Sequence, residues 1–201
     1  MKARVTRFKS LEIALAELEP YIRDGSHLLS GKPFKRLNDM RSREAVANWL
    51  LCVASNHCYG EDRFWFSSDL NGGDGIIVDR ITEQTVPTEH VMALRAPKEV
   101  RDGDTLILEA IAKKVNKGGE AYASGKTLVV FAEGLGEWHP THVAKNLPDP
   151  LHFDAVWVLG LKDITGVGTY NYTVTRLDLR KGNPPRWTVG IAKDFKSWSV
   201  T

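Results

Sequence analysis

The sequence predicts an α/β protein built on a central mixed β-sheet with flanking helices. Segments of helical and extended period follow one another in the order helix, three strands, helix, strand, short helix, strand. Two almost wholly apolar runs, Thr127 to Ala132 (TLVVFA) and Ala155 to Leu161 (AVWVLGL), read as strands covered on both faces, and the segment between them suits a parallel crossover. By contrast, Gly75 to Ile81 and Val86 to Leu94 are separated only by Thr82 to Thr85, which suits an antiparallel hairpin. Both senses of pairing in one sheet make it mixed.

Each element has a local reason. Ser10 precedes Leu11, Ile13, Ala14, Leu15, Leu18, Tyr21 and Ile22 at helical spacing, so it is the expected N-cap of an amphipathic helix that Gly25 can end. The stretch Asp24 to Met40, with Gly25, Gly31, Pro33 and several basic residues, reads as a loop. A second helix starts near Ser42 with Glu44 in its first turn, and Ala45, Val46, Trp49, Leu50, Cys52 and Val53 give it a broad apolar face. After Gly60 the pattern turns extended, in Arg63 to Ser67 and then in the hairpin strands. Asp102, Gly103 and Asp104 introduce a third helix, Leu106 to Val115, which closes at Lys117, Gly118 and Gly119. Glu137 to Leu147 holds a short helix before Pro148, and Tyr172 to Leu179 with Arg186 to Ala192 forms a C-terminal hairpin appended to the main sheet.

The chain has 201 residues, within the usual span of a single domain of about 100–200. The expected organisation is one domain, 1–201, with a core over about 42–161, an N-terminal helical extension over 1–41 and the hairpin within 162–201. Lys and Arg total 27 against 25 Asp and Glu, so the net charge of +2 supplies no global attraction to polyanions, and any nucleic-acid site must be a local patch. No apolar run approaches the roughly 20 residues of a membrane span, and Met1 to Lys9 lacks a signal-peptide core, so the expected location is cytoplasmic with no membrane partner. Cys52 and Cys58 alone make no disulfide framework.

The acidic residues that matter lie in the hairpin. Asp74 follows a Gly-Gly pair at the start of one strand and Glu89 sits in the next; the register decides whether Asp74 or Asp79 comes nearer to Glu89. Carboxylates converging at one end of a sheet suit a hard divalent ion, which takes oxygen ligands, keeps waters and activates one against a phosphodiester. The plain alternative is a turn aspartate and an exposed strand glutamate. Gly72 to Gly75 is not a phosphate loop, because it runs into a strand and lacks the required spacing. His139 and His142 lie at a spacing that can share a helix face, but zinc would need two further ligands, and the nearest, Cys52, His57 and Cys58, are remote. Basic residues gather at Lys32, Lys35, Arg36, Arg41 and Arg43, and again at Arg180, Lys181 and Arg186; they count as a phosphate footprint only where they flank the acidic cleft.

This order of elements resembles the core of the restriction-endonuclease-like superfamily, the PD-(D/E)xK nucleases, over roughly Ser42 to Leu161. GGDGIIVD resembles the strand that the family's Asp opens, TEHVMAL resembles the strand of the (D/E)xK motif, and Glu44 falls on the preceding helix. The resemblance implies an αβββαβ core plus the N-terminal helix and C-terminal hairpin. It implies a Mg²⁺ or Mn²⁺ site of Glu44, Asp74 and Glu89, and hydrolysis or binding of nucleic acid, DNA or RNA. One departure is plain: the family's lysine position holds Val91, which cannot orient a hydroxide. Some members of the superfamily carry the lysine on a neighbouring helix, which points to Lys113 or Lys114, with Lys117 a further candidate and His90 a weaker one. The expectation is thus a divalent-metal-dependent nuclease with Asp74, Glu89 and Lys113 or Lys114 at the chemistry and Lys32, Lys35, Arg36, Arg41 and Arg43 on the strand. The alternative is an inactive nuclease-like module for nucleic-acid binding or protein assembly, with a homodimer or protein partner.

Overall fold

Seventeen elements follow one another in a computed structural model that describes residues 8–69, 72–96, 98, 100–178 and 183–201. Helix α1 (Leu11–Arg23) is capped by the Ser10 hydroxyl, which accepts from the Ile13 amide, and buries Leu11, Ala14, Leu15, Leu18 and Ile22. The stretch expected to be a loop instead holds helix α2 (Ser26–Ser30), strand β1 (Pro33–Phe34), a 3₁₀ turn (Lys35–Leu37) and strand β2 (Met40–Arg41). Its order comes from tertiary bonds that no local pattern encodes: Ser42 Oγ donates to the His27 carbonyl at 2.9 Å, and β1 pairs antiparallel with β2.

Helix α3 (Ser42–Tyr59) is buried along most of its length from Ser42 to Ala54. The strands β3 (Phe64–Ser67), β4 (Gly75–Asp79) and β5 (Thr85–Leu94) then form the expected antiparallel meander. Helix α4 (Gly103–Val115) starts earlier than its apolar period does, because Asp102 caps it by accepting from the Thr105 amide at 2.8 Å. A one-turn helix α5 (Gly119–Ala123), strand β6 (Thr127–Glu133), helix α6 (Pro140–Lys145) and strand β7 (Ala155–Ile164) follow, and β6 and β7 pair in parallel as their crossover requires. Strands β8 (Tyr170–Arg176), β9 (Arg186–Ile191) and β10 (Trp198–Val200) complete the chain.

The hydrogen-bonding order of the larger sheet's eight strands is β10-β9-β8-β7-β6-β5-β4-β3, so the protein is mixed α/β with a mixed eight-stranded sheet and the small β1-β2 pair. The C-terminal strands β8 and β9 extend the sheet beyond β7, and β10 is an additional strand beyond them. Among the described residues, no helix is long and apolar enough to cross a membrane.

The chain divides into two compact units. The first comprises Met1–Thr88, Asp163–Asn171 and Thr188–Thr201. Its centre is α3, against which α1, α2, β3, β4 and β10 pack. Trp49 of α3 is fully buried, donates its indole N–H to the Leu11 carbonyl at 2.9 Å and meets Trp198 edge to face. Asn56 near the end of α3 accepts from the amides of Arg63 and Phe64, which fixes where β3 begins. The second unit comprises Glu89–Lys162 and Tyr172–Trp187. Its core joins Ile107, Ala110 and Ile111 of α4, Leu128 and Val130 of β6, Val143 of α6, and Val156 and Val158 of β7, the alternate residues of one sheet face.

Candidate functional site

In the first unit, the β4–β5 register settles which aspartate faces the hairpin turn. Val78 pairs with Thr85 and the Asp79 amide donates to the Gln84 carbonyl, so Asp79 sits at the turn end; the ladder's other end is Gly75 with Thr88, the residues just after Asp74 and just before Glu89. Asp79 is a structural carboxylate. Its oxygens accept from Arg63 Nε at 3.0 Å and Nη2 at 2.6 Å and from Thr82 Oγ1 at 2.7 Å, and these bonds, that of Arg63 foremost, hold its carboxyl far below the usual range.

Asp74 lies instead with Glu44 in an open cleft of about 610 Å³, whose lining also includes Asn38, Asp39, Arg41, Ser68, Asp69 and the Gly72-Gly73 pair. Glu44 is the third residue of α3, and its Oε2 accepts from the Arg41 amide at 3.2 Å, closing the helix start. Burial first, and the charge of Asp74 second, push the Glu44 carboxyl up to about 7, against the opposing pull of the Arg41 amide and the Arg41 and Arg43 charges. A carboxyl raised in this way keeps its proton up to near neutrality, and a cation can take the proton's place. The donors of the cleft are hard oxygens, which suit Mg²⁺ or Mn²⁺ and not a thiolate- or imidazole-seeking metal. Among the described residues no three His, Cys, Asp or Glu form a complete metal cage, so an ion here would rest on the two carboxylates with water or phosphate completing its shell.

Why Asp74 is placed here follows from Gly75. A Cβ at Gly75 would lie 2.2 Å from Asn48 Nδ2 and 3.0 Å from Thr88 Oγ1, and Thr88 Oγ1 itself donates to Asn48 Oδ1 at 3.0 Å. Asn48 is one helical turn below Glu44, so this contact sets the β4 entry, and Asp74 with it, at a fixed height on α3. Gly72 has φ +86°, the left-handed turn conformation, while the Gly73 amide donates to Asp69 Oδ2 at 3.2 Å.

Of the basic residues, Arg41 lines the cleft, and Arg43 is a half-buried guanidinium within the field of both Glu44 and Asp74 that donates to the Leu29 carbonyl at 3.3 Å. Lys32 is 3.0 Å from His27 Nε2, Arg36 pairs with Glu17 at 3.6 Å, and Lys35 is exposed on the 3₁₀ turn.

In the second unit, Glu89 is buried and its carboxylate is surrounded by donors. Tyr122 Oη donates to Oε2 at 2.5 Å, Lys114 Nζ to Oε2 at 3.1 Å and Lys126 Nζ to Oε1 at 3.2 Å. Burial acts to raise this carboxyl, but the Tyr122 bond and the two lysines outweigh it and hold it below the usual range. Of the two expected lysines, Lys114 therefore meets Glu89, whereas Lys113, about 100° around the helix, is exposed. Lys117 and Lys126 lie 4.7 and 4.5 Å from the centre of the Tyr122 ring. Val91 packs against the apolar core.

His139 and His142 are brought together by a residue that their spacing does not reveal. Asp104, buried in the first turn of α4, accepts from the His139 amide at 2.6 Å and from Nδ1 of His139 and His142 at 3.2 and 3.0 Å. The basic residues Arg180 and Lys181 lie outside the described residues. Cys52 is a buried thiol whose pKa burial raises, Cys58 is exposed, and neither is in a disulfide. Tyr122, Lys126, Asp39 and Asp69 carry no sequence signal of their own, because each reaches its partners only through the fold. Compared with protein-family models, curated proteins and solved structures, the chain has no significant match.

Proposed function

We propose that this protein is a divalent-metal-dependent nuclease-like protein of restriction-endonuclease type, acting on nucleic-acid phosphodiesters. The observation that carries the reading is the Glu44–Asp74 pair: a buried carboxyl pushed up to about 7 beside a second carboxylate, in an open oxygen-lined cleft bordered by Arg41. Glu44 and Asp74 would hold Mg²⁺ or Mn²⁺, which when bound supplies a polarised water and stabilises charge on a phosphate oxygen. The work of the chain's own residues is separate from this. Arg41 and Arg43 lower the charge density of the cleft so that a phosphate can approach two carboxylates. Within the second unit the carboxylate and lysine that the family pattern requires are paired as Glu89 and Lys114, with Lys114 on α4 in place of the strand position held by Val91.

A second reading is a nuclease-like module that binds without cutting. It is favoured by one observation: Glu89 accepts from Tyr122, Lys114 and Lys126 together, which uses acceptor capacity a metal would need. Incubation of the purified protein with plasmid, single-stranded DNA and RNA, with Mg²⁺, Mn²⁺ or chelator, separates the two. The nuclease reading expects cleavage that chelator abolishes and that Glu44→Gln and Asp74→Asn each reduce by about 100-fold or more. Binding without cleavage by the wild type supports the second reading, and cleavage undiminished in both variants rejects the site.

A further inference from the structure

A second cleft, of about 720 Å³ and lined wholly by residues of the second unit, has the opposite character from the Glu44–Asp74 cleft. Its chemistry-bearing lining residues are Trp138, His139, Lys162, Thr173 and Arg186, with Glu137 the single acid of the lining. Lys162 and Arg186 are exposed cations with no ion-pair partner among the described residues, and the Arg186 guanidinium lies 5.9 Å from the centre of the Trp138 ring. Trp138 is half-buried, and its place is built rather than incidental. It packs against the apolar core, and Gly103 admits it, since a Cβ there would lie 3.0 Å from both Trp138 Cβ and the Glu137 carbonyl. His139 is likewise held: Asp104 accepts both its amide and its Nδ1–H, which fixes the ring and leaves the Nε2 edge of a largely exposed imidazole.

An aromatic platform, two cations without an ion-pair partner among the described residues and an oriented imidazole acceptor are the parts that recognise an aromatic base joined to a phosphate. The base has a face to stack on at Trp138. The guanidinium, already above that ring on a flexible stem, matches two phosphate oxygens at once, with Lys162 as a second charge and His139 Nε2 able to accept from a sugar hydroxyl. We propose that this cleft binds a nucleotide unit, its base on Trp138 and its phosphate on Arg186 and Lys162. The proposal stands apart from the metal chemistry of the first cleft and needs no divalent ion.

The test uses the full chain in EDTA, so that the Glu44–Asp74 cleft plays no part. Calorimetry with adenosine monophosphate and with inorganic phosphate is set beside fluorescence anisotropy with labelled single-stranded octanucleotides. The expected result is binding of a nucleotide or an oligonucleotide in clear preference to inorganic phosphate. Trp138→Leu should weaken it by roughly tenfold, as loss of a stacking platform does, while Trp138→Phe largely retains it. Because Trp138 also supports the core, Arg186→Gln and Lys162→Gln provide the second arm: both side chains are exposed, and each change should cost several-fold in affinity. Binding of free mononucleotide identifies a soluble nucleotide as the occupant, and binding of the octanucleotide alone identifies a strand. No binding of any probe, equal binding of inorganic phosphate, or wild-type affinity in Trp138→Leu, Arg186→Gln and Lys162→Gln would overturn the proposal.

Discussion

Glu44 has two duties that conflict, and the conflict is measurable. As the third residue of α3 its carboxylate accepts from the Arg41 amide, yet burial and Asp74 make the charged form costly. A carboxyl with a folded pKa raised from 4.5 to about 7 contributes stability fully present below pH 4.5 and lost as pH rises through about 7. Wild-type stability should therefore fall between pH 5 and pH 8 relative to Glu44→Gln, by on the order of 3 kcal/mol. Glutamine keeps an acceptor for the Arg41 amide and removes the charge, so chemical denaturation of the two proteins at both pH values isolates the term. Parallel pH dependences would show that Glu44 is ionised at no unusual cost. Asp79 runs in the opposite sense: its depressed carboxyl contributes stability above the usual carboxylate range, lost only in strong acid. Asp74 and Asp79 are acids at the two ends of one strand, and only their neighbours separate a structural anion from a candidate ligand. That distinction is invisible in sequence, where Asp74 and Asp79 are equal candidates beside Glu89 until the register is known.

At the scale of elements, the contact that places Asp74 is the close approach of β4 to α3 at Gly75. Alanine there must displace Asn48, a fully buried side chain already bonded to Thr88, so Gly75→Ala should destabilise by about 2 kcal/mol or more. Urea unfolding checks this, and a change below about 0.5 kcal/mol would mean that the approach is slack. Elements whose own residues declare them were legible in advance: α1 through Ser10 and its apolar period, the meander through alternation and a four-residue connection, and the parallel β6–β7 pair through apolar runs and a crossover. Those held by distant partners were not. Helix α2 stands in a polar, glycine-bearing stretch and depends on a bond from Ser42, and the first turn of α4 is polar because Asp102 and Asp104 serve as cap and as histidine anchor. The site divides in the same way. Lys114 is one of three lysines to which the superfamily resemblance points, but its preference over Lys113 and Lys117 is fixed by where Glu89 points, and Asp104 is thirty-five residues from His139, beyond any local pattern.

At the scale of the molecule, a near-neutral chain separates its charge into local fields. One unit carries an acid-lined cleft with Arg41 at its border, and the other carries a cleft lined by Arg186 and Lys162. A net charge of +2 conceals both, which is why composition alone argued neither for nor against a phosphate-bearing partner. The nuclease reading rests on the first cleft accepting a hard divalent ion in place of a proton. Calorimetry of Mn²⁺ and Mg²⁺ binding, repeated at pH 7 in buffers of different ionisation enthalpy, measures both ion and proton at once. One ion should bind with release of a fraction of a proton at pH 7, with both signals lost in Glu44→Gln. Ion binding that releases no proton, or that persists unchanged in Glu44→Gln and Asp74→Asn, would contradict it.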